Sequence, residues 1–392
     1  MVPKGWTETY LGEVITHKKG FAFNSGSYRD KGIRIVRISD TTRNSVHSEN
    51  PVYLAEEDAN GLENYKLTKD DIILSTVGSR PHLLDSMVGK AVKVPLEADG
   101  SLLNQNLVKV IPKASKITNE YLYEMLKNNR FIFFISTLVR GNANQVSITL
   151  SDLFQYQFVL PPLPEQKKIA KILSTWDKAI TTTEKLLANS QQQKKALMQQ
   201  LLTGKKRLMD KNGVRFSGEW RERLLGDISK ITTGSSNRQD SHMHGAYTFF
   251  DRSEDIRTSD TYLFDCEAVI VPGEGQDFIP KYFVGKFDLH QRTYAIMDFP
   301  ECHGKFLFYA IHYFRSHFLS QAVGSTVKSL RLPMFQKMKL KLPMFEEQQK
   351  IAAVLSTADQ EISALQQKLD ALKQEKKALM QQLLTGKRRV LV

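Results

Sequence analysis

The sequence predicts an α+β protein in which two mixed, strand-rich domains are joined by two long antiparallel helices in a coiled coil, with pseudo-two-fold internal symmetry. Three observations predict it. One segment occurs twice; both copies carry a heptad spacing of apolar residues; and each copy closes a stretch of strand-like runs punctuated by glycine turns. The expected divisions are a first strand-rich domain over residues 1–158, a repeat helix over 159–208, a second strand-rich domain over 209–341 and a second repeat helix over 342–392.

The first strand-rich segment opens with Trp6, Glu8, Leu11, Gly12 and Gly20, which match Trp220, Glu222, Leu225, Gly226 and Gly234 at the start of the second. Both then keep one order of elements. DDIILSTVG from Asp70 and EAVIVPGEG from Glu267 read as strands ending in glycine turns. A Gly-Lys turn before a strand follows in each, Gly89-Lys90 and Gly285-Lys286, then a glutamine ahead of the next strand, Gln105 or Gln291. Each segment closes with one aromatic-rich helix, EYLYEMLKNNRFIFFIS or KFLFYAIHYFRSHFLSQ, and a polar turn, RGNANQVS or GSTVKSLR.

The repeated segment is the strongest signal. At a constant offset of 182 residues, 27 of the 49 positions over 160–208 recur without a gap, and KKALMQQLLTGK at 194–205 returns letter for letter at 376–387. Pro164 and Glu165, with Glu346 and Glu347 in the second copy, suit a first helical turn, where a missing N–H is harmless and negative charge opposes the dipole. Gly204 and Gly386 stand where a left-handed C-terminal cap favours glycine.

Between them the apolar spacing alternates between three and four, as in a coiled-coil seam. The first copy runs Ile169, Leu173, Trp176, Ile180, Thr183, Leu187, Ser190, Leu197 and Leu201. The second runs Ile351, Leu355, Ala358, Ile362, Leu365, Leu369, Leu372, Leu379 and Leu383. Helices of about 39 residues would be roughly 58 Å long. Antiparallel pairing of one against the other is the economical packing; parallel pairing and homodimerisation through the seams are the alternatives. Both seams carry a lysine at the same place, Lys194 and Lys376, either fixing register and partner or snorkelling its stem out to solvent.

Composition bounds the function. Hydrophobic residues at 41% and charged residues at 25% are ordinary for a globular protein, whereas a net charge of +13 favours a polyanionic partner, nucleic acid first and an anionic membrane surface second. The start MVPKGWTETYLGE has no apolar core of signal-peptide length, and no run of about 18 apolar residues occurs. Two cysteines, Cys266 and Cys302, are too few for a disulfide framework, so a cytoplasmic protein is expected.

A shared scaffold with different loop chemistry suits two domains that bind similar ligands with different patterns. On DNA, phosphate contacts position a protein and base-edge contacts specify sequence, the latter through Arg, Asn, Gln, Lys and Ser. The turns of the first segment offer Ser79, Arg80, Gln105, Asn142, Asn144 and Gln145 as candidate DNA contacts; those of the second offer Gln276, Gln291, Arg292, Ser325 and Lys328.

This pattern resembles the specificity subunit of type I restriction–modification systems. The resemblance covers the whole chain and rests on the tandem domains, LPPLPEQKKIAKIL closing the first, LPMFEEQQKIAAVL closing the second, and the LLTGK helix ends. It implies two target-recognition domains, each reading one half of a bipartite, asymmetric site in double-stranded DNA. It implies paired helices, beginning at Pro164 and Glu346, that set the spacing and dock two modification subunits. S-adenosylmethionine is then expected in those partners, with no cofactor in this chain, and ATP-dependent restriction subunits are further implied partners. The second copy departs from the first where MFEE replaces PLPE.

No catalytic residue is expected. An adenine methyltransferase needs an Asn/Asp-Pro-Pro-aromatic tetrad, and Pro161-Pro162 lies between leucines instead. No phosphate loop of the G-x-x-x-x-G-K-[ST] type occurs, and the nuclease-like Glu375 and Lys377 have Gln193 in place of the glutamate in the first copy. No metal site is expected either: Cys266, Cys302 and His303, or His242 and His244, lack ligand spacing. A DNA-specificity subunit is therefore expected rather than a fused enzyme. A coiled-coil scaffold that does not bind DNA, and a specificity subunit serving a methyltransferase alone, are the other readings.

Overall fold

The computed structural model describes residues 2–83, 86–141, 145–253 and 255–391. The chain divides into two units: Met1–Thr182 with Leu369–Val392, and Thr183–Lys368. Each contains one strand-rich domain, the start of one long helix and the end of the other.

In the first unit a four-stranded antiparallel sheet runs in the order Ile15–Lys19, Leu107–Pro112, Ile72–Ser75 and Ala91–Lys93. A three-stranded sheet (Val52–Leu54, Ile33–Val36, Leu102–Leu103) includes one parallel pair. In the second unit six strands form one mixed sheet, ordered Lys230–Thr233, Thr293–Met297, Phe264–Pro272, Lys281–Leu289, Tyr247–Phe250 and Arg257–Ser259. Ile72–Ser75 and the second half of the other central strand, Ala268–Pro272 within Phe264–Pro272, are buried at every position and almost wholly apolar, as stretches covered on both faces are.

The weak duplication at the start of each half has a common structural cause. Thr7–Tyr10 pairs antiparallel with Gln157–Leu160, the strand that leads into the first long helix, and Arg221–Leu224 pairs with Lys339–Leu342 in the same way. Gly20 and Gly234 pass so close to a neighbouring strand that a β-carbon would overlap the carbonyl oxygen of Asn104 or Leu289.

Two expectations need correction. Each aromatic-rich segment forms two helices, not one: Asn119–Leu126 and Asn129–Leu138, then Gly304–Tyr313 and Ser316–Gln321. Asn128 breaks the first by capping a new helix, its side chain accepting from the Arg130 N–H. Gly89 takes the expected turn at φ 76°, but Gly285-Lys286 lies inside the nine-residue strand Lys281–Leu289.

The long helices span Leu163–Leu201 and Phe345–Leu383. In the first unit Ile169, Leu173 and Leu383 share one core with Tyr121, Phe131 and Leu153. In the second unit Leu201 joins Ile351, Leu355, Phe306 and Phe335. Within each unit, then, the start of one helix lies against the end of the other, the antiparallel sense. Gly204 and Gly386 adopt φ of 71° and 68° just beyond the helix ends, and the N–H groups of Lys206 and Arg388 return to the carbonyls of Gln200 and Gln382.

The snorkelling alternative for the seam lysines is not what occurs. Lys376 is buried, and its ammonium sits 2.5 Å from Asp177 and 3.1 Å from Glu124. Lys194 is ion-paired with Asp359.

The helix starts hold groups whose purpose the sequence reading assigned only to the dipole. Glu165 is buried and accepts from the Trp6 indole at 2.9 Å and from both arms of Arg389 at 2.7 and 2.8 Å. Glu347 is gripped likewise by Arg207, at 2.7 Å to each oxygen, with the guanidinium over the Trp220 ring. The next residues, Gln166 and Gln348, accept from the backbone N–H of Thr118 and His303, both at 2.9 Å. Those residues start the first aromatic helix of each domain. The glutamine thus ties a domain helix to the start of a long helix, while the glutamate beside it holds the arginine beyond the end of the other long helix.

Burial raises the Glu165 carboxyl pKa, but the hydrogen bonds from Arg389 and Trp6 outweigh it and leave the group below its ordinary value. A depressed folded-state pKa contributes stability that is present above the ordinary glutamate value of 4.5 and lost as pH falls through the lower folded value. Acidification below that point should therefore lower the Tm of the wild-type chain more steeply than that of Glu165→Gln. Thermal melts across that range check this; parallel slopes would count against it.

Candidate nucleic-acid interface

Each unit carries a small two-stranded ribbon beside the outer end of its central strand. In the first unit the chain runs from Ile72–Ser75 through Thr76 into Val77–Gly78, which pairs antiparallel with Val146–Ser147. In the second it runs from Phe264–Pro272 through Gly273 into Glu274–Gly275, paired with Lys328–Ser329.

The anchoring bonds correspond one for one. Thr76 donates to the Asn106 carbonyl at 3.0 Å and accepts from Ile148 at 3.0 Å; Gly273 donates to Arg292 at 2.9 Å and accepts from Leu330 at 2.7 Å. The far turn is closed by the reciprocal pair Arg140 and Ser147 in one unit, Val323 and Ser329 in the other. The anchoring pattern is shared, while the side chains carried on it differ between the two ribbons.

Nine of the eleven candidate contacts can be placed; Asn142 and Asn144 lie outside the described residues. Ser79, Arg80 and Gln145 come together at the first ribbon. The Ser79 hydroxyl is 2.6 Å from that of Ser86, Arg80 donates to the Gly141 carbonyl at 3.1 Å, and Gln145 is exposed. Gln105 is exposed in the turn whose next residue, Asn106, holds Thr76. At the second ribbon, Gln276 follows Gly275, Lys328 lies opposite Gly275, and Ser325 is exposed in the closing turn. Gln291 and Arg292 occupy the neighbouring turn. Arg292 pairs with Glu274, and the Gln291 amide donates to Asn237 at 2.8 Å.

Groups outside the set of candidate contacts also stand at the ribbons. A cavity of about 280 Å³ beside the first ribbon is lined by Ser39, Thr41, Ser79, Ser86, Lys90 and Gln145. Lys90, in the Gly-Lys turn, is buried, and its ammonium donates to the Thr41 carbonyl at 2.7 Å. At the second ribbon Arg252 reaches Glu274 from the other side, at 3.4 Å. One carboxylate thus holds two largely exposed guanidiniums in place. Burial pushes the nearby His290 imidazole below its ordinary value, with the two arginines adding to the effect. The first ribbon thus carries clustered hydroxyls beside Arg80, and the second carries two arginines on one carboxylate. The only sequence hint of Arg252 or Ser39 is loop position, which does not separate them from other polar loop residues.

Among the described residues no group of His, Cys, Asp and Glu could hold a metal ion, and no helix is long and apolar enough to cross a membrane.

Residues 3–190 and 217–374 match the family model for the type I restriction modification DNA specificity domain. The chain belongs to that specificity-subunit family. The family supplies DNA target specificity to the restriction–modification complex and is its non-catalytic component. A protein of Methanocaldococcus jannaschii assigned as the MjaX specificity subunit is 24% identical over 416 residues, covering 99% of this chain and 95% of its own length. The EcoAI specificity subunit of Escherichia coli is 26% identical over 188 residues, 47% of this chain and 30% of its own. The fold is shared with a type I S subunit from M. genitalium, with a TM-score of 0.67 at 16% identity over 97% of this chain and 96% of that one.

Proposed function

We propose that each strand-rich domain reads one half of a bipartite, asymmetric site in double-stranded DNA, through the ribbon and its neighbouring turn. The observation that supports this most is the duplicated ribbon with different side chains. Ser79, Arg80, Gln105, Asn142, Asn144 and Gln145 are assigned to one half-site, and Gln276, Gln291, Arg292, Ser325 and Lys328 to the other. Arginine, glutamine and asparagine offer paired donors or a donor and an acceptor to base edges in the major groove, and lysine and serine suit phosphates or either base class.

In this reading residues 1–158 and 209–341 are the target-recognition domains. The helices of 159–208 and 342–392 set the distance between half-sites and dock two modification subunits, which carry S-adenosylmethionine; this chain carries no cofactor. Restriction subunits join the same assembly, and the complex acts in the cytoplasm.

Exchanging residues 213–341 for the matching segment of a family member, in complex with the modification subunit, should change one half of the methylated motif and leave the other. A methylation map of genomic DNA gives the result. If both halves changed together, the two-reader assignment would be wrong.

A further inference from the structure

The apolar seam cannot by itself specify how the two long helices meet. Leucine and isoleucine recur every three and four positions, so sliding one helix by a heptad keeps every apolar side chain on the seam. Reversing its direction does so too.

The seam charges are not degenerate in this way. Lys194 pairs with Asp359, and Lys376 pairs with Asp177 at 2.5 Å. The two lysines are related by the 182-residue repeat, and so are the two aspartates. Antiparallel helices in the observed register therefore bring each lysine to an aspartate. Parallel helices with the repeats aligned would bring lysine to lysine and aspartate to aspartate. A heptad slip moves an ammonium about 10.5 Å along its partner, beyond the reach of the same carboxylate.

Each pair also holds a third group, from the domain of its own unit. Glu124, in the helix Asn119–Leu126, accepts from Lys376 at 3.1 Å. Tyr309, in Gly304–Tyr313, donates to Asp359 at 2.6 Å and lies with its ring under the Lys194 ammonium. Both occupy the sixth position of the first aromatic helix of their domain. Domain, first helix and second helix are registered at one polar point in each unit.

We propose that these two lysine–aspartate locks determine the direction and heptad register of the long-helix pair, and through it the spacing between half-sites that the subunit recognises. The spacing step rests on the ruler role given to the helices above; the register step does not.

The test separates the two. In the full chain with Cys266 and Cys302 replaced by serine, Ser190→Cys is combined with Glu361→Cys, positions whose native side chains are hydrogen-bonded at 2.9 Å. Reporters one heptad away are Val354→Cys and Lys368→Cys. All chains carry Glu124→Gln, so that a reversed charge at 376 meets no third carboxylate. With native locks the 190–361 cross-link should dominate. Asp177→Lys with Asp359→Lys makes both locks repel, and that cross-link should fall at least about tenfold. Adding Lys376→Asp and Lys194→Asp should restore it. An undiminished 190–361 yield with repelling locks overturns the proposal, and so does failure of the four-fold reversal to restore it, including where the repelling chain does not fold. Methylation mapping with the modification subunit reads the second step. A cross-link that shifts to 354 or 368 while the DNA spacer stays constant would leave the locks standing and remove the ruler.

Discussion

Arg207→Met is expected to lower folding stability by about 3–5 kcal/mol, because it leaves a buried carboxylate without its cation. The Glu347 side chain has no exposed surface, and Arg207 grips both of its oxygens from a site that is itself only 18% exposed. The matching change at the other helix start, Arg389→Met, should cost less. Arg389 is 43% exposed, and Glu165 keeps the Trp6 indole donor at 2.9 Å. The Trp220 indole nitrogen is buried without a partner and gives Glu347 no such help. Pairing Arg207→Met with Glu347→Gln should recover part of the loss, since removing both charges strands neither. Urea unfolding midpoints of the full chain give the order: wild type, then Arg389→Met, then Arg207→Met. Equal midpoints for the two methionine variants would show that the two helix starts are held by something other than these clasps.

Those clasps also mark where sequence reasoning reaches and stops. The long helices are legible because periodicity and glycine caps are local, and a near-exact repeat removes ambiguity; the helices themselves end at Leu201 and Leu383, short of the repeat bounds. Glu165, Gln166 and their copies were visible as repeated letters, yet their partners lie far away in the chain. The partner of Glu165 is 224 residues on, so nothing local announces it. Trp6 with Trp220, and Arg207 with Arg389, recur as well, and that recurrence is the sequence signal of the clasp. The strand-rich segments were legible in order but not in detail. Gly285-Lys286 matches Gly89-Lys90 by letters alone, and only the seven-pair register of Lys281–Phe287 with Phe264–Ile270 shows that its glycine continues a strand. The aromatic segment of the first domain reads as one helix from its letters because Asn128 is weak punctuation without its side-chain cap on the Arg130 N–H. At the ribbons, polar loop letters point to Ser79, Arg80, Gln145, Gln276, Ser325 and Lys328. They missed Lys90 and Arg252, whose placement depends on Thr41 and Glu274.

Lengthening both helices by one heptad should lengthen the DNA spacer by about three base pairs. Seven residues inserted after Leu187 and after Leu369 preserve the apolar period. They add about 10.5 Å to each helix at 1.5 Å per residue, and DNA rises about 3.4 Å per base pair. The positions of the locks make this pair of sites the informative one. Leu187 lies between Asp177 and Lys194 in the first helix, and Leu369 lies between Asp359 and Lys376 in the second. A double insertion therefore lets Lys376 keep Asp177 and Lys194 keep Asp359, whereas a single insertion forces one of the two pairs apart. The double variant should methylate the same two half-sites at the longer spacing, with activity reduced because three extra pairs also rotate one half-site by about 100° at about 10.5 pairs per turn. Each single variant should lose activity at both spacings. Methylation maps of the three variants with the modification subunit, scored separately for each spacer length, give the comparison. A double variant that is fully active at the original spacing would reduce the helices to a docking surface.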